Sequence, residues 1–314
     1  MAKLLTKEEE EELRVGIEQG RYKKIFLSDK SFSDMSITEL LVIIELARRE
    51  NWEELDLRSK RITELPPEIG QLKKLKKLNL GEDRVADDKL RNKLTKLPDE
   101  IDQLTSLQTL DLSGNRLTIL PESIGQLTSL QTLDLSSNQL TALPKSIGQL
   151  TNLQTLELSG NQLTALPNSI GQLIYLQELS IGYNLIELPE SIGNLVNLKK
   201  LVLEKNKLSI LPKSLRRLKN LREFWLAGNN LSSGFDWIGE LKNLVTLSFG
   251  DNKICNLPDT ISQLENLQIL YFNENKIISI PSTISRLEKL KKLDLDGNPL
   301  NPALQSAYEQ GQCH

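Results

Sequence analysis

A 23-residue period constrains this 314-residue chain more than any single residue in it. LTSLQTLDLSGNRLTILPESIGQ (104–126) is followed by LTSLQTLDLSSNQLTALPKSIGQ and then by LTNLQTLELSGNQLTALPNSIGQ. Marking each copy by the first leucine of L-x-x-L-x-L-x-x-N-x-L-x-x-L-P-x-x-I-x-x-L places units at Trp52, Leu75, Leu107, Leu130, Leu153, Leu176, Leu198, Leu221, Leu244, Leu267 and Leu290, the eleventh incomplete. Self-similarity at this period means stacked copies of one supersecondary unit, none of which can bury its apolar face alone. Leucines alternate with polar residues in Thr109-Leu110-Asp111-Leu112-Ser113, the pattern of a short strand with one buried face. Strands arising at the same point of every copy pair in parallel, and the return path carries Leu120, Ile124 and Leu127 back over the same core. An asparagine follows each strand from the second unit on: Asn92, Asn115, Asn138, Asn161, Asn184, Asn206, Asn229, Asn252, Asn275 and Asn298. It sits where the chain turns inward, and a carboxamide can serve both donors and acceptors of buried turn backbone.

This motif resembles the leucine-rich-repeat family, particularly its Leu-Pro-x-x-Ile subclass, over roughly Trp52 to Leu300. The resemblance implies an α/β fold, a right-handed solenoid or horseshoe with a parallel concave β-sheet. The expected organisation is an N-terminal helical cap over 1–50, the repeat array over 51–299, and a short C-terminal cap or linker over 300–314. The segment DGNPLNPALQSAYEQG, the entry ARRENWEELDL and the LPxxIGQL copies are similar to the repeat region of bacterial Roco proteins. In that family such a segment leads into a Ras-like GTPase domain. The repeats also resemble plant and animal scaffolds of Ras-type GTPases. No G-x-x-x-x-G-K-[ST] phosphate loop is present, so GTPase activity is not carried over.

Departures from the repeat are informative. The first unit has Lys60 where the asparagine belongs, as a capped end should. GEDRVADDKLR (81–91) makes the second unit about nine residues longer and should form a solvated loop, either a binding loop or an incidental insertion. The sixth unit is one residue short at NLIELP, which should tighten the turn after Asn184. In the eighth, Gly234-Phe235-Asp236-Trp237 replaces leucine-proline. Phe235 or Trp237 then fills the vacated slot, unless the segment forms a second site on the convex face. Before the array, Thr6-Lys7-Glu8-Glu9 and Ser36-Ile37-Thr38-Glu39 have capping-box form and predict two helices. ITELLVIIELARREN is apolar round much of its circumference, as a cap over the first repeat should be.

Several function classes are unfavoured. With 39 basic against 42 acidic residues and a net charge of -3, the chain has no basic surplus for nucleic acid or an anionic membrane. Its start, MAKLLTKEEEEELRVG, turns acidic before a signal peptide's apolar run is complete, and no stretch reaches membrane-spanning length. Two cysteines, Cys255 near the buried column and Cys313 in the tail, fit a reducing cytoplasm better than a disulfide-stapled exterior. His314 is the sole histidine, so no His-based triad or metal site is expected, nor any enzyme activity or cofactor. The paired lysines Lys76-Lys77, Lys199-Lys200 and Lys291-Lys292 lie many repeats apart and form no stripe.

What remains is a scaffold, expected to be monomeric, that binds another protein on the concave face; the alternative is a regulatory region of a larger Roco-type GTPase. The outward position between the second and third leucines reads Asp56, Asn79, Asp111, Asp134, Glu157, Ser180, Val202, Trp225, Ser248, Tyr271 and Asp294. Its first half is acidic and small. From the sixth unit it becomes amphipathic, with Tyr183, Glu204 and Ile269 in neighbouring columns. Tyr183, Val202, Glu204, Trp225, Ser248, Ile269 and Tyr271 are therefore the expected partner-binding patch, because aromatic anchors dominate interface energies. The competing reading is that these residues merely shield one another across the sheet.

Overall fold

The computed structural model describes residues 35–82 and 91–311. The helix expected near residue 6 and nearly all of the 81–91 insertion lie outside the described residues. Only the feet of that insertion are seen, where Arg91 pairs with Glu82 (Nη2 to Oε2, 2.9 Å).

Helix α1 (Ile37–Arg49) starts at the expected capping box: Glu39 N donates to Ser36 Oγ (3.2 Å) and Ser36 N donates to Glu39 Oε2 (2.8 Å). Its buried side chains, Leu40, Val42, Ile43, Ile44, Leu46 and Ala47, cover the first repeat. Eleven three-residue strands follow: β1 (Glu54–Asp56), β2 (Lys77–Asn79), β3 (Thr109–Asp111), β4 (Thr132–Asp134), β5 (Thr155–Glu157), β6 (Glu178–Ser180), β7 (Lys200–Val202), β8 (Glu223–Trp225), β9 (Thr246–Ser248), β10 (Ile269–Tyr271) and β11 (Lys292–Asp294). They lie in chain order in one parallel sheet. Each central residue is a leucine or phenylalanine, fully or almost fully buried in every strand before β11. The solenoid expected from the period is the fold observed.

Two compact units divide the chain, Met1–Gln139 and Leu140–His314. In both, the return path is a 3-10 turn entered from the repeat's proline, except at Asp236–Glu240, where Phe235 takes that place. Pro212, for example, is extended (φ -65°, ψ 138°) and leads into the turn Lys213–Arg217. Neighbouring turns nest closely. A Cβ on Gly193 would lie 2.4 Å from Ser214 O, which is why the I-G pair ends most of these turns.

The asparagines form a ladder. Asn229 donates from Nδ2 to Leu226 O (2.8 Å) in its own unit and to Leu203 O (2.9 Å) in the preceding one, and accepts from Leu208 N (3.1 Å). Asn115, Asn252, Asn275 and Asn298 repeat this pattern, and Asn92 accepts from Lys60 N and Ile62 N. Asn184 departs from it. The missing residue turns its half-buried carboxamide outward, so that Nδ2 donates to Asn161 O (3.1 Å) and Oδ1 accepts from Lys207 Nζ (3.2 Å). The expected tightening is a break in the ladder at one rung.

A second ladder was not anticipated. At the turns before β7, β8, β9 and β10, Asn197, Asn220, Asn243 and Asn266 donate from Nδ2 to Ile174 O, Val196 O, Lys219 O and Lys242 O at 2.8–3.0 Å. Ser129 makes the same bond to Thr105 O through its hydroxyl (2.7 Å). Tyr175 occupies this column in the sixth unit, with its ring more than half exposed.

Phe235 fills the slot left by Gly234. It is buried and stacks on Phe249 (4.8 Å between centroids), which stacks on Phe272 (5.3 Å). Trp237 Nε1 donates to Gly234 O (3.2 Å). At the end of the array Ile284, Leu290 and Leu293 are only partly buried, and helix α2 (Pro302–Glu309) has no buried residue. Its Tyr308 hydroxyl accepts from Leu295 N (3.2 Å).

Candidate functional site

Strand geometry sends the side chains on either side of each buried central residue to the outward face of the sheet. Over Met1–Gln139 this face turns its acids back on itself. Asp111 Oδ1 accepts from Ser113 N (2.9 Å), and Asp134 Oδ1 accepts from Ser136 N (2.9 Å) and Ser136 Oγ (2.6 Å). Asp56 is clamped by Arg58 (Nη2 to Oδ2, 2.7 Å). Burial raises the Asp111 carboxyl above its ordinary value, over the opposing Ser113 donors. Burial also works to raise Asp56, but Arg58 outweighs it and holds that carboxyl low. These carboxylates cap the strand ends.

The compact unit Leu140–His314 carries the apolar side chains. Trp225 on β8 and Tyr271 on β10 are two strands apart, separated by Ser248 on β9. Strands so placed are about 9.6 Å apart, yet the ring centroids are 6.2 Å apart with planes inclined at 30°. The rings lean together over the intervening strand, leaving Ser248 only 4% exposed. Ser248 is thus a floor beneath two aromatics and cannot be a contact residue as expected. Trp225, Val202, Glu204, Ile269 and Tyr271 are half-buried, so mutual shielding operates alongside exposure. Trp225 Nε1 donates to Glu223 Oε2 (3.2 Å), and Lys292 Nζ sits 4.7 Å over the Tyr271 ring. Tyr183 is 52% exposed, with Lys205 Nζ 5.8 Å from its centroid. Its φ of 98° is unusual for a bulky residue; the same position holds Gly160 and Gly228 in other units.

Beside the tryptophan is an open hollow of about 370 Å³, lined by Glu157, Glu178, Lys200, Glu204, Glu223 and Trp225 among others. Val202, Glu204 and Trp225 from the expected patch meet here, whereas Tyr183, Ile269 and Tyr271 do not line it. Sequence reasoning passed over Glu178 and Glu223 and took Lys200 only as half of one of the scattered lysine pairs. They occupy one outward column on adjacent strands, Glu178 opposite Lys200 and Lys200 opposite Glu223. Reading that second column at the 23-residue period exposes the alternation of charge.

Cys255 is exposed, contrary to its expected place near the buried column, because Ile254 takes the inward position. Lys199 and Lys291 donate to Gln177 Oε1 (2.8 Å) and Gln268 Oε1 (3.0 Å). Among the described residues no group of His, Cys, Asp and Glu side chains is arranged to hold a metal, and no helix is long and apolar enough to cross a membrane.

A parallel sheet of one strand per repeat, backed by 3-10 turns and an asparagine ladder, defines a class of repeat solenoid. Family models described as "leucine-rich repeat region" match residues 88–158 and 129–235, and "leucine rich repeat" matches 242–300, together more than half of the chain. The chain belongs to the leucine-rich-repeat proteins. It is 31% identical to a leucine-rich-repeat protein of Leptospira interrogans, covering 88% of this chain and 84% of that one, at a TM-score of 0.47. It is 30% identical to the plant peptide hormone receptor RGFR1 in complex with RGF2 (81% of this chain, 45% of that one, TM-score 0.61). With the Arabidopsis receptor kinase HAESA, in complex with the peptide hormone IDA and the co-receptor SERK1, it shares 27% identity (80% and 47%, TM-score 0.64). The chain spans about half the length of these plant receptors. No curated protein matches it.

Proposed function

We propose that this chain is a non-catalytic recognition scaffold that binds another protein on the outward sheet face of β6 to β10. The observation that carries the reading is the Trp225–Tyr271 pair. Two of the chain's few large aromatics are held on a polar face, beside a hollow, where a repeat of leucines and threonines does not require them. Rigid aromatic surface of this kind supplies most of the energy in protein interfaces. Peptide complexes of related receptors support the same use of the fold. The face of Met1–Gln139 is a weaker candidate because its aspartates are engaged in capping strand ends. A monomer working in the cytoplasm is the accompanying proposal, consistent with a free, exposed Cys255 thiol. A regulatory region beside a Roco-type GTPase domain would use the same face, with that domain as the partner.

The test is affinity capture with wild-type protein beside the Trp225→Ala, Tyr271→Ala double variant, both shown to melt alike. The expected result is a protein held by the wild type and lost, at least tenfold, by the variant. Equal capture by both would remove this face as the site.

A further inference from the structure

We infer that the partner is engaged through an extended segment carrying a lysine or arginine, which enters the acidic hollow, and an apolar residue about four positions away, which covers the Trp225–Tyr271 pair. This rests on the recognition reading above and adds the chemistry of what is recognised.

The hollow holds four carboxylates, Glu157, Glu178, Glu204 and Glu223, against the single ammonium of Lys200. Glu223 is partly satisfied by the Trp225 indole. Glu178 and Glu204 make no side-chain hydrogen bond or ion pair among the described residues. They differ in this from Asp111 and Asp134, whose oxygens are taken by their own strand ends. A chain with nearly balanced charge thus places two unpaired carboxylates, Glu178 and Glu204, in one recess with an aromatic wall. A guanidinium or ammonium is the complement: it pairs with carboxylates, and a guanidinium also stacks on an indole face. An acidic or phosphorylated segment would meet repulsion there.

Spacing follows from the fold. The hollow centres on β6 and β7 and the aromatic pair stands over β9. Strands about 4.8 Å apart put the two features about 12 Å from one another, the reach of about four residues of extended chain. The Lys199 ammonium is held by Gln177 and that of Lys205 lies over the Tyr183 ring, so neither closes the recess.

The test is selection from a display library of random 12-residue peptides against the intact chain, with affinities of selected peptides then measured for three proteins: wild type, the Glu178→Gln, Glu204→Gln double variant, and Trp225→Ala. The expected outcome is enrichment of a basic residue about four positions from an aromatic or branched apolar one. Affinity should fall tenfold or more in both variants, and should fall as salt rises. Peptides without a basic residue, or unaffected by Glu178→Gln, Glu204→Gln while lost on Trp225→Ala, would overturn the inference and leave the recognition face standing. Peptides indifferent to all the substitutions would overturn both. Failure to select any peptide would overturn the extended-segment inference alone.

Discussion

The Asn229 carboxamide satisfies two carbonyls and one amide that have no access to water. Removing it strands all three, at about 1–3 kcal/mol for each buried group left unpaired. Asn229→Ala should therefore destabilise the chain by about 3 kcal/mol or more in urea unfolding. Asn184→Ala should cost less than about 1 kcal/mol, since one of its partners is the part-buried Asn161 carbonyl and the other a lysine ammonium in contact with solvent. Equal costs would contradict the break seen at the sixth unit. Tyr183 offers the opposite case: its φ of 98° is held against the sterics of its own Cβ. Tyr183→Gly should relieve that strain, gaining up to about 1 kcal/mol after the entropic cost of glycine, and should raise the melting temperature. Asp111 predicts a pH dependence. Its carboxyl binds a proton more readily in the folded chain than in the unfolded one, because burial disfavours the charged form. Its contribution to stability therefore falls as pH rises through the raised folded value and recovers on acidification. Asp111→Asn should be more stable than wild type at neutral pH, with the difference shrinking as pH is lowered in a series of thermal melts.

At the scale of the element, the strands and the first ladder were legible because each leucine and asparagine recurs in a fixed place and one position decides one contact. The α1 capping box was legible for the same reason: Ser36 and Glu39 are three residues apart and answer only to each other. The second ladder was hidden, since Asn197, Asn220, Asn243 and Asn266 share their column with Ser129 and Tyr175 and carry no hydrophobic signal. The nesting of the 3-10 turns was equally invisible, being a matter of backbone approach between units. It makes a clear prediction. Gly193→Ala would drive a methyl against Ser214 O and Ser214 Cβ, both within 2.5 Å of the ideal Cβ position, and should destabilise by about 1–3 kcal/mol through overpacking. A neutral effect on the urea midpoint would mean that the turns stand further apart than described.

For the whole molecule, the period specified a solenoid and its outward columns, but not which outward residues are accessible. Ser248 was expected at the interface and lies beneath two rings, since the lean of Trp225 towards Tyr271 depends on side-chain length and not on position in the repeat. The hollow was missed because it arises from residues of three columns on several strands, with Ser180 leaving space between longer neighbours. The central claim is that recognition uses the sheet face of β6 to β10. Hydroxyl-radical footprinting tests it most directly, with and without the captured partner, because aromatic side chains report their own exposure at several places. Trp225, Tyr271 and Tyr183 should lose reactivity on binding, while Tyr175, at the turn before β6, and Tyr308, on α2, should keep theirs. Protection of Tyr175 or Tyr308 with Trp225 and Tyr271 unchanged would contradict the account.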